Sequence, residues 1–232
     1  MNTILEYSHV TKQYSTVCAL NDVNLAIEPG HIVGLLGPNG SGKTTLLKIA
    51  CGLLCPTTGT VSVCGGPVGP DSKLRISYLP DKNYLSEWMR ISQIIDLFHD
   101  FYSNFDRNKA YEMLQRLNIS PKQKLKTLSK GTREKVQLIL VMSRSSDLYL
   151  LDEPIGGVDP AARDYILRTI ISNYSEKSSV LISTHLITDI EQVLDEVIFI
   201  RDGRVVLQDT VEHIRESRGK SVDAFFREVF AC

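Results

Sequence analysis

His31-Ile32-Val33-Gly34-Leu35-Leu36 runs directly into Gly37-Pro38-Asn39-Gly40-Ser41-Gly42-Lys43-Thr44, and the architecture follows from this segment. Its first six residues are almost continuously apolar, as a strand must be when both of its faces are buried in a parallel sheet. After the glycine loop, the spacing of Leu46, Ile49, Ala50 and Leu53 predicts a helix over Thr45 to Leu54. Strand, glycine loop and helix make an anion cradle. The glycines let successive backbone N–H groups converge on one anion, and the helix adds its positive N-terminal end. The pattern predicts phosphate contacts from Gly37, Pro38, Asn39, Gly40, Ser41, Gly42, Lys43, Thr44 and Thr45. Lys43 is expected to reach the β and γ phosphates, and Thr44 to offer its hydroxyl to Mg²⁺.

Farther along, Leu148-Tyr149-Leu150-Leu151 reads as a second buried strand, and it ends in Asp152-Glu153. Two adjacent carboxylates after a strand also suit a solvated turn. Beside a phosphate loop they read as chemistry: Asp152 holds Mg²⁺ through water, and Glu153 polarises the attacking water as general base. Val180-Leu181-Ile182-Ser183 is a third buried strand, and Glu196 to Ile200 turns at Asp202-Gly203 into Arg204 to Gln208 as a hairpin. The first thirty residues carry short apolar segments, Ile4-Leu5 and Val23 to Ile27, and read as a strand-rich lobe. Between about Leu85 and Met142 the pattern turns helical. There Asp106 can cap a helix that sets Ala110, Met113, Leu114 and Leu117 on one face. The outcome is an α/β core interrupted by a helical insert.

Bulk properties narrow the partners. With 26 Lys plus Arg against 27 Asp plus Glu, the 232-residue chain lacks the basic footprint needed to neutralise a nucleic-acid backbone, so no nucleic-acid partner is expected. Five cysteines without a Cys-x-x-Cys pair point to reduced thiols rather than to disulfides or zinc. Met1 to Val10 has no basic start and no apolar h-region, so a signal peptide is not expected. The longest fully apolar run, Leu138 to Met142, is far short of the ~20 residues that cross a bilayer, so any membrane spans must come from another chain.

The loop and the acidic strand define a P-loop NTPase, and the rest of the chain, from Tyr14 to about Gln208, resembles the ATP-binding cassette (ABC) family. Leu128-Ser129-Lys130-Gly131-Thr132 is similar to the family signature Leu-Ser-Gly-Gly-Gln, Gly157-Val158-Asp159-Pro160 to its D-loop, and Ser183-Thr184-His185 to its switch histidine. Four motifs in the family's order are more specific than any one. The resemblance implies a P-loop NTPase (RecA-like) core, an N-terminal antiparallel β lobe and an α-helical subdomain inserted at about 85–145. The ATP-binding domain would span 1–215, followed by a helical tail over 216–232.

The resemblance also implies roles. Tyr14 would stack on the adenine, and His185 would contact the γ-phosphate beside Glu153 and Lys43. Ser129, Lys130 and Gly131 would cap, in trans, the nucleotide held by a second cassette, identical or related, with Asp159 at the same interface. ATP and Mg²⁺ would be the cofactors. A membrane-spanning transporter subunit would be the further partner, placing the chain peripherally on the cytoplasmic face of the cell membrane. The subtype resembled is the efflux-type bacterial cassette with separately encoded membrane subunits. A soluble, non-transport ATPase and a regulatory module of low turnover are the alternatives.

The chain departs from the pattern in three places. Asp81, after Tyr78-Leu79-Pro80, stands where the family has the Q-loop glutamine; as a carboxylate it can still coordinate Mg²⁺. In the signature, Lys130 replaces a glycine and Thr132 the glutamine. Just beyond the Q-loop, Tyr84 to Tyr102 is densely apolar, either as core of the helical subdomain or as a groove for a helix of the membrane subunit. Val222, Phe225, Phe226 and Val229 fall at helical spacing, which suits a tail packed on its own domain or a partner contact.

Overall fold

The computed structural model describes residues 3–156, 160–173 and 177–231. In chain order the elements are β1 (Leu5–Tyr14), β2 (Val17–Ile27), β3 (Ile32–Leu36), α1 (Lys43–Ala50), β4 (Thr58–Val63), β5 (Gly66–Pro67), α2 (Pro70–Arg75), β6 (Ile76–Leu79), α3 (Ile91–Phe101), α4 (Arg107–Arg116), α5 (Lys130–Met142), β7 (Leu148–Asp152), α6 (Pro160–Asn173), β8 (Ser179–Thr184), α7 (Ile187–Ile190), β9 (Glu196–Arg201), β10 (Arg204–Thr210), α8 (Val211–Arg218) and α9 (Val222–Phe230).

Two sheets result. One has the order β2-β1-β4-β5 and is antiparallel. The other has the order β10-β9-β3-β8-β7-β6, parallel except for the β9–β10 hairpin. The alternation of side chains along a strand divides the parallel sheet between two cores. Ile32, Leu36, Tyr149, Leu151, Val180, Ile182, Val197 and Phe199 pack in one cluster with the helical insert. Val33, Leu35, Leu148, Leu150, Leu181, Ile198 and Ile200 pack in the other, with α1 and the antiparallel sheet. All five residues of β3 and of β7 are buried, which is why neither strand shows an apolar-polar alternation in sequence.

Two expectations are adjusted, and the tail follows the first of its two readings. The first helix runs from Lys43 to Ala50 rather than from Thr45 to Leu54. Gly52, at φ +66, donates its N–H to the Ile49 carbonyl while the Leu53 N–H donates to that of Lys48. This left-handed termination ends the helix and turns Leu53 outward, to 57% exposure. The division at residue 216 falls inside α8. α9 packs on its own domain: Phe225, Phe226 and Phe230 surround the Phe199 ring at centroid distances of 5.9, 5.3 and 5.9 Å. The expected cap of α4 is present, with Asp106 accepting from the Lys109 N–H at 3.0 Å.

Candidate nucleotide site

In the sheet β8 lies between β3 and β7, so the carboxyl ends of three neighbouring strands deliver the phosphate loop, Ser183 to His185, and Asp152-Glu153 to one edge. Register fixes the match: Leu36 pairs with Thr184, and Ser183 with Asp152.

The loop glycines are required at two points. A Cβ on Gly37 would lie 2.3 Å from the Ile200 carbonyl oxygen, and one on Gly42, at φ +109, 2.5 Å from the Ala19 carbonyl oxygen. The β9–β10 turn braces the loop, because the Gly203 N–H donates to the Ser41 carbonyl at 3.0 Å. Lys43 begins α1 and bends back over the loop. Its Nζ donates to the Gly37 carbonyl at 2.7 Å and to that of Pro38 at 3.1 Å, and stands 3.8 Å from Glu153 Oε1. Burial holds the Lys43 ammonium below its ordinary pKa, against the attraction of Glu153 and Asp152.

Asp152 is 1% exposed. Its Oδ1 accepts from Ser183 Oγ at 2.6 Å and from Thr44 Oγ1 at 3.1 Å, while Oδ2 is buried without a hydrogen-bond partner. Burial raises its pKa, Ser183 and Thr44 pull it back, and the carboxylates of Asp81 and Glu153 push it up. An uncommitted buried carboxylate oxygen beside a threonine hydroxyl is an all-oxygen donor set, which fits a hard divalent cation such as Mg²⁺.

Glu153 adopts a left-handed φ of 50°, rare outside glycine and asparagine, and its N–H donates to the Ser183 carbonyl at 2.9 Å. That turn swings its carboxylate between two partners, His185 Nδ1 at 3.0 Å from Oε2 and Lys43 at 3.8 Å from Oε1. Lys43, Thr44, Asp152, Glu153 and His185 are thus joined in one network. Ser183 is the member that sequence reading did not assign. Sequence shows it only as the polar last residue of a buried apolar run; the pairing of β7 with β8 is what sets it opposite Asp152.

The other predicted residues lie outside this network. Tyr14 closes β1 and is 41% exposed, with Lys12 Nζ 5.0 Å from its ring centroid. Ser129 caps α5, its Oγ accepting from the Thr132 N–H at 3.2 Å, and Lys130 and Gly131 form the first turn. Asp81 is exposed on the loop after β6 and lines a cavity of about 370 Å³ with Lys130, Glu134 and Gln137. Two of the three departures from the family pattern, Asp81 and Lys130, therefore meet across one cavity. Asp159 and its neighbours Gly157 and Val158 lie outside the described residues.

The apolar set from Tyr84 to Tyr102 divides between the two readings. Leu85, Ile91, Ile94 and Phe98 are buried core. Tyr84 is 48%, Trp88 67% and Phe101 73% exposed. Tyr84, Phe98 and Tyr102 line one side of a groove of about 480 Å³, with Cys51, Leu53, Tyr78 and Val141 also in its wall. Among the described residues no helix is long and apolar enough to cross a membrane.

Comparison with known proteins agrees with this geometry. The family model described as ABC transporter matches residues 20–156. The ABC transporter ATP-binding protein YtrB of Bacillus subtilis is 31% identical over 229 residues, covering 97% of this chain and 78% of the relative. Nod factor export ATP-binding protein I of Cupriavidus metallidurans is 28% identical over 225 residues, 94% of this chain and 74% of that protein. Among solved structures, an ATP-binding subunit of an ABC transporter superposes with a TM-score of 0.89 at 27% identity, over 98% of this chain and 99% of that one. A dimeric ATP-binding cassette in a post-hydrolysis state with ADP and Pi shares the fold, with a TM-score of 0.79 at 24% identity over 89% and 98% of the two chains. The matched family model, the relatives and the joined network of loop, acidic strand and histidine agree: this chain belongs to the ABC transporter family, as its ATP-binding and ATP-hydrolysing subunit.

Proposed function

We propose that two cassettes, identical or related, close head to tail on ATP, and that closing and opening drive an attached membrane-spanning subunit in an export cycle. The observation that carries the hydrolytic half is the Glu153 carboxylate held between His185 and Lys43 at the end of β7. Glu153 takes the proton of the attacking water, and His185 fixes the carboxylate and meets the γ-phosphate. Lys43 leaves the Gly37 and Pro38 carbonyls for phosphate oxygens, so its charge moves to where negative charge develops. Thr44 and Asp152 would hold Mg²⁺, with Asp81 as a further carboxylate nearby; when bound, the ion neutralises charge on the β and γ phosphate oxygens. Tyr14 offers an exposed ring for the adenine.

Ser129, Lys130 and Gly131 complete the site of the opposite cassette. Ser129 and the first N–H groups of α5 form a helix N-terminus suited to a γ-phosphate. Closure then depends on nucleotide, because ATP adds contacts to both faces. The groove beside Tyr84 and Tyr102 receives a helix of the membrane subunit, which sets the chain peripherally on the cytoplasmic face. Export is the direction suggested by the Nod factor export relatives.

In the purified complex, Glu153→Gln should retain ATP binding and lower phosphate release by about 10²-fold or more. Release at the wild-type rate would remove Glu153 from the chemistry. Co-expression with the adjacently encoded membrane protein, one with several apolar stretches of ~20 residues, should give a complex that survives detergent extraction.

A further inference from the structure

His185 stands just past the end of β8, and the chain after it has little support of its own. Leu186 donates its N–H to Thr184 Oγ1 at 3.0 Å, and α7 then runs for only four residues, Ile187–Ile190. A single helical turn is far below the length at which a helix holds itself, so α7 takes its place from what it packs against. Ile187 and Ile190 bury its apolar side in the core shared with the helical insert. Its polar side is clamped twice. Asp189 Oδ2 accepts from Arg163 Nη1 at 2.7 Å, and Arg163 lies in the first turn of α6. Glu191, at the end of α7, accepts through Oε2 from the Asp223 N–H at 3.1 Å, in the first turn of α9. The neighbouring Ala224 N–H goes to Ser221 Oγ at 3.1 Å. One open N–H of α9 is thus met by its own cap and one by a carboxylate from α7, at the end of the helix that favours negative charge.

We infer that Arg163, Asp189 and Glu191 are positioning residues for His185: they fix α7 between α6 and α9 and so hold the imidazole against Glu153 and the γ-phosphate. This rests on the proposed role of His185 and adds what keeps it in place. Neither carboxylate is needed to bury the turn, which the two isoleucines do alone. What the carboxylates add is a fixed lateral position. His185 Nδ1 lies 3.0 Å from Glu153 Oε2, and a displacement of about 1 Å at such a contact costs on the order of 10²-fold in rate. With one clamp removed, α7 is held on one side only, and the slack reaches the imidazole through Leu186. α9 is itself anchored on β9, through Phe225 and Phe226 on the Phe199 ring. It therefore serves the histidine as well as covering the core.

The test is a set of double-mutant cycles on phosphate release by the purified complex with its membrane subunit, followed with radiolabelled ATP so that slow residual hydrolysis is resolved. We expect Asp189→Ala and Glu191→Ala each to lower kcat about tenfold while KM stays within about twofold of wild type, since the phosphate loop is untouched. Glu191→Gln, whose amide oxygen can still accept from Asp223, should recover most of the rate. Arg163→Asp combined with Asp189→Arg should be more active than either single reversal. In a His185→Ala background, Asp189→Ala should lower kcat no further, because the group it acts through is gone. An equal loss in both backgrounds would make the clamp a matter of stability alone and overturn the inference, while the His185 reading stands. Wild-type kcat in both alanine variants, with His185→Ala impaired, would likewise overturn the inference alone. Wild-type kcat in His185→Ala would overturn that reading and the inference with it.

Discussion

At the scale of single residues, the site holds two groups whose charges burial disfavours, Lys43 and Asp152. Asp152 is nearly inaccessible, and burial raises its pKa above the ordinary value of 3.8. A raised carboxyl holds its proton more tightly in the folded chain than in the unfolded one. The stability it contributes is therefore full below the ordinary value and is lost as the pH rises through the folded one. Asp152→Asn should then raise the melting temperature of the nucleotide-free chain near neutral pH, with the gain vanishing in acid, and should abolish Mg²⁺-dependent hydrolysis. A melting temperature lowered equally at both pH values would contradict the account. Cys51 gives a second check. Burial pushes its thiol from 9.0 to about 12, so it stays protonated, and its part in stability is lost only as the pH climbs between those values. Alkylation read by mass spectrometry near pH 8 should label the exposed Cys18 and Cys55 and spare Cys51. Most of these residues were legible in the sequence, because a phosphate loop and an acidic strand each carry their own spacing. Ser183 was not, since its role depends on lying opposite Asp152 across two strands far apart in the chain.

At the scale of elements, buried strands and glycine geometry fix the shape of the loop. Gly42→Ala puts a methyl group 2.5 Å from a backbone oxygen at a left-handed φ, so the loop must distort. We expect a stability loss of about 1–3 kcal/mol in denaturant titration and loss of ATP binding by equilibrium dialysis. Wild-type affinity in this variant would show that the loop geometry is not needed. The strands β3, β7 and β8 were readable as apolar runs because each is buried on both faces. The helix after the loop was read too long, because Leu53 continues the apolar spacing although Gly52 has already ended the helix. β1 and β2 showed only as fragments. Their register shifts between Tyr7 and Val10, and again before Lys12, so the two-residue period that marks a strand is broken. Tyr84 to Tyr102 mixes core and exposed groove in one apolar stretch, which composition cannot separate.

At the scale of the whole molecule, the described contacts leave the site open on one side. The network of Lys43, Thr44, Asp152, Glu153, Ser183 and His185 is closed within one chain. Ser129, by contrast, spends its hydroxyl on its own helix, accepting from Thr132. On our account the chain holds half of one site and half of another, and one copy alone binds ATP but turns it over poorly. The most direct test mixes two inactive variants. Glu153→Gln keeps the α5 N-terminus intact. Gly131→Asp keeps Glu153 and places an acidic residue in the first turn of α5, where the helix tolerates it but a γ-phosphate is repelled. Each alone should be inactive in the presence of the membrane subunit. Mixed, half of the mixed pairs' composite sites regain both an intact Glu153 and an intact Gly131, so phosphate release should rise well above the mean of the separate preparations. A mixture that releases phosphate only at that mean would contradict a site shared between two cassettes.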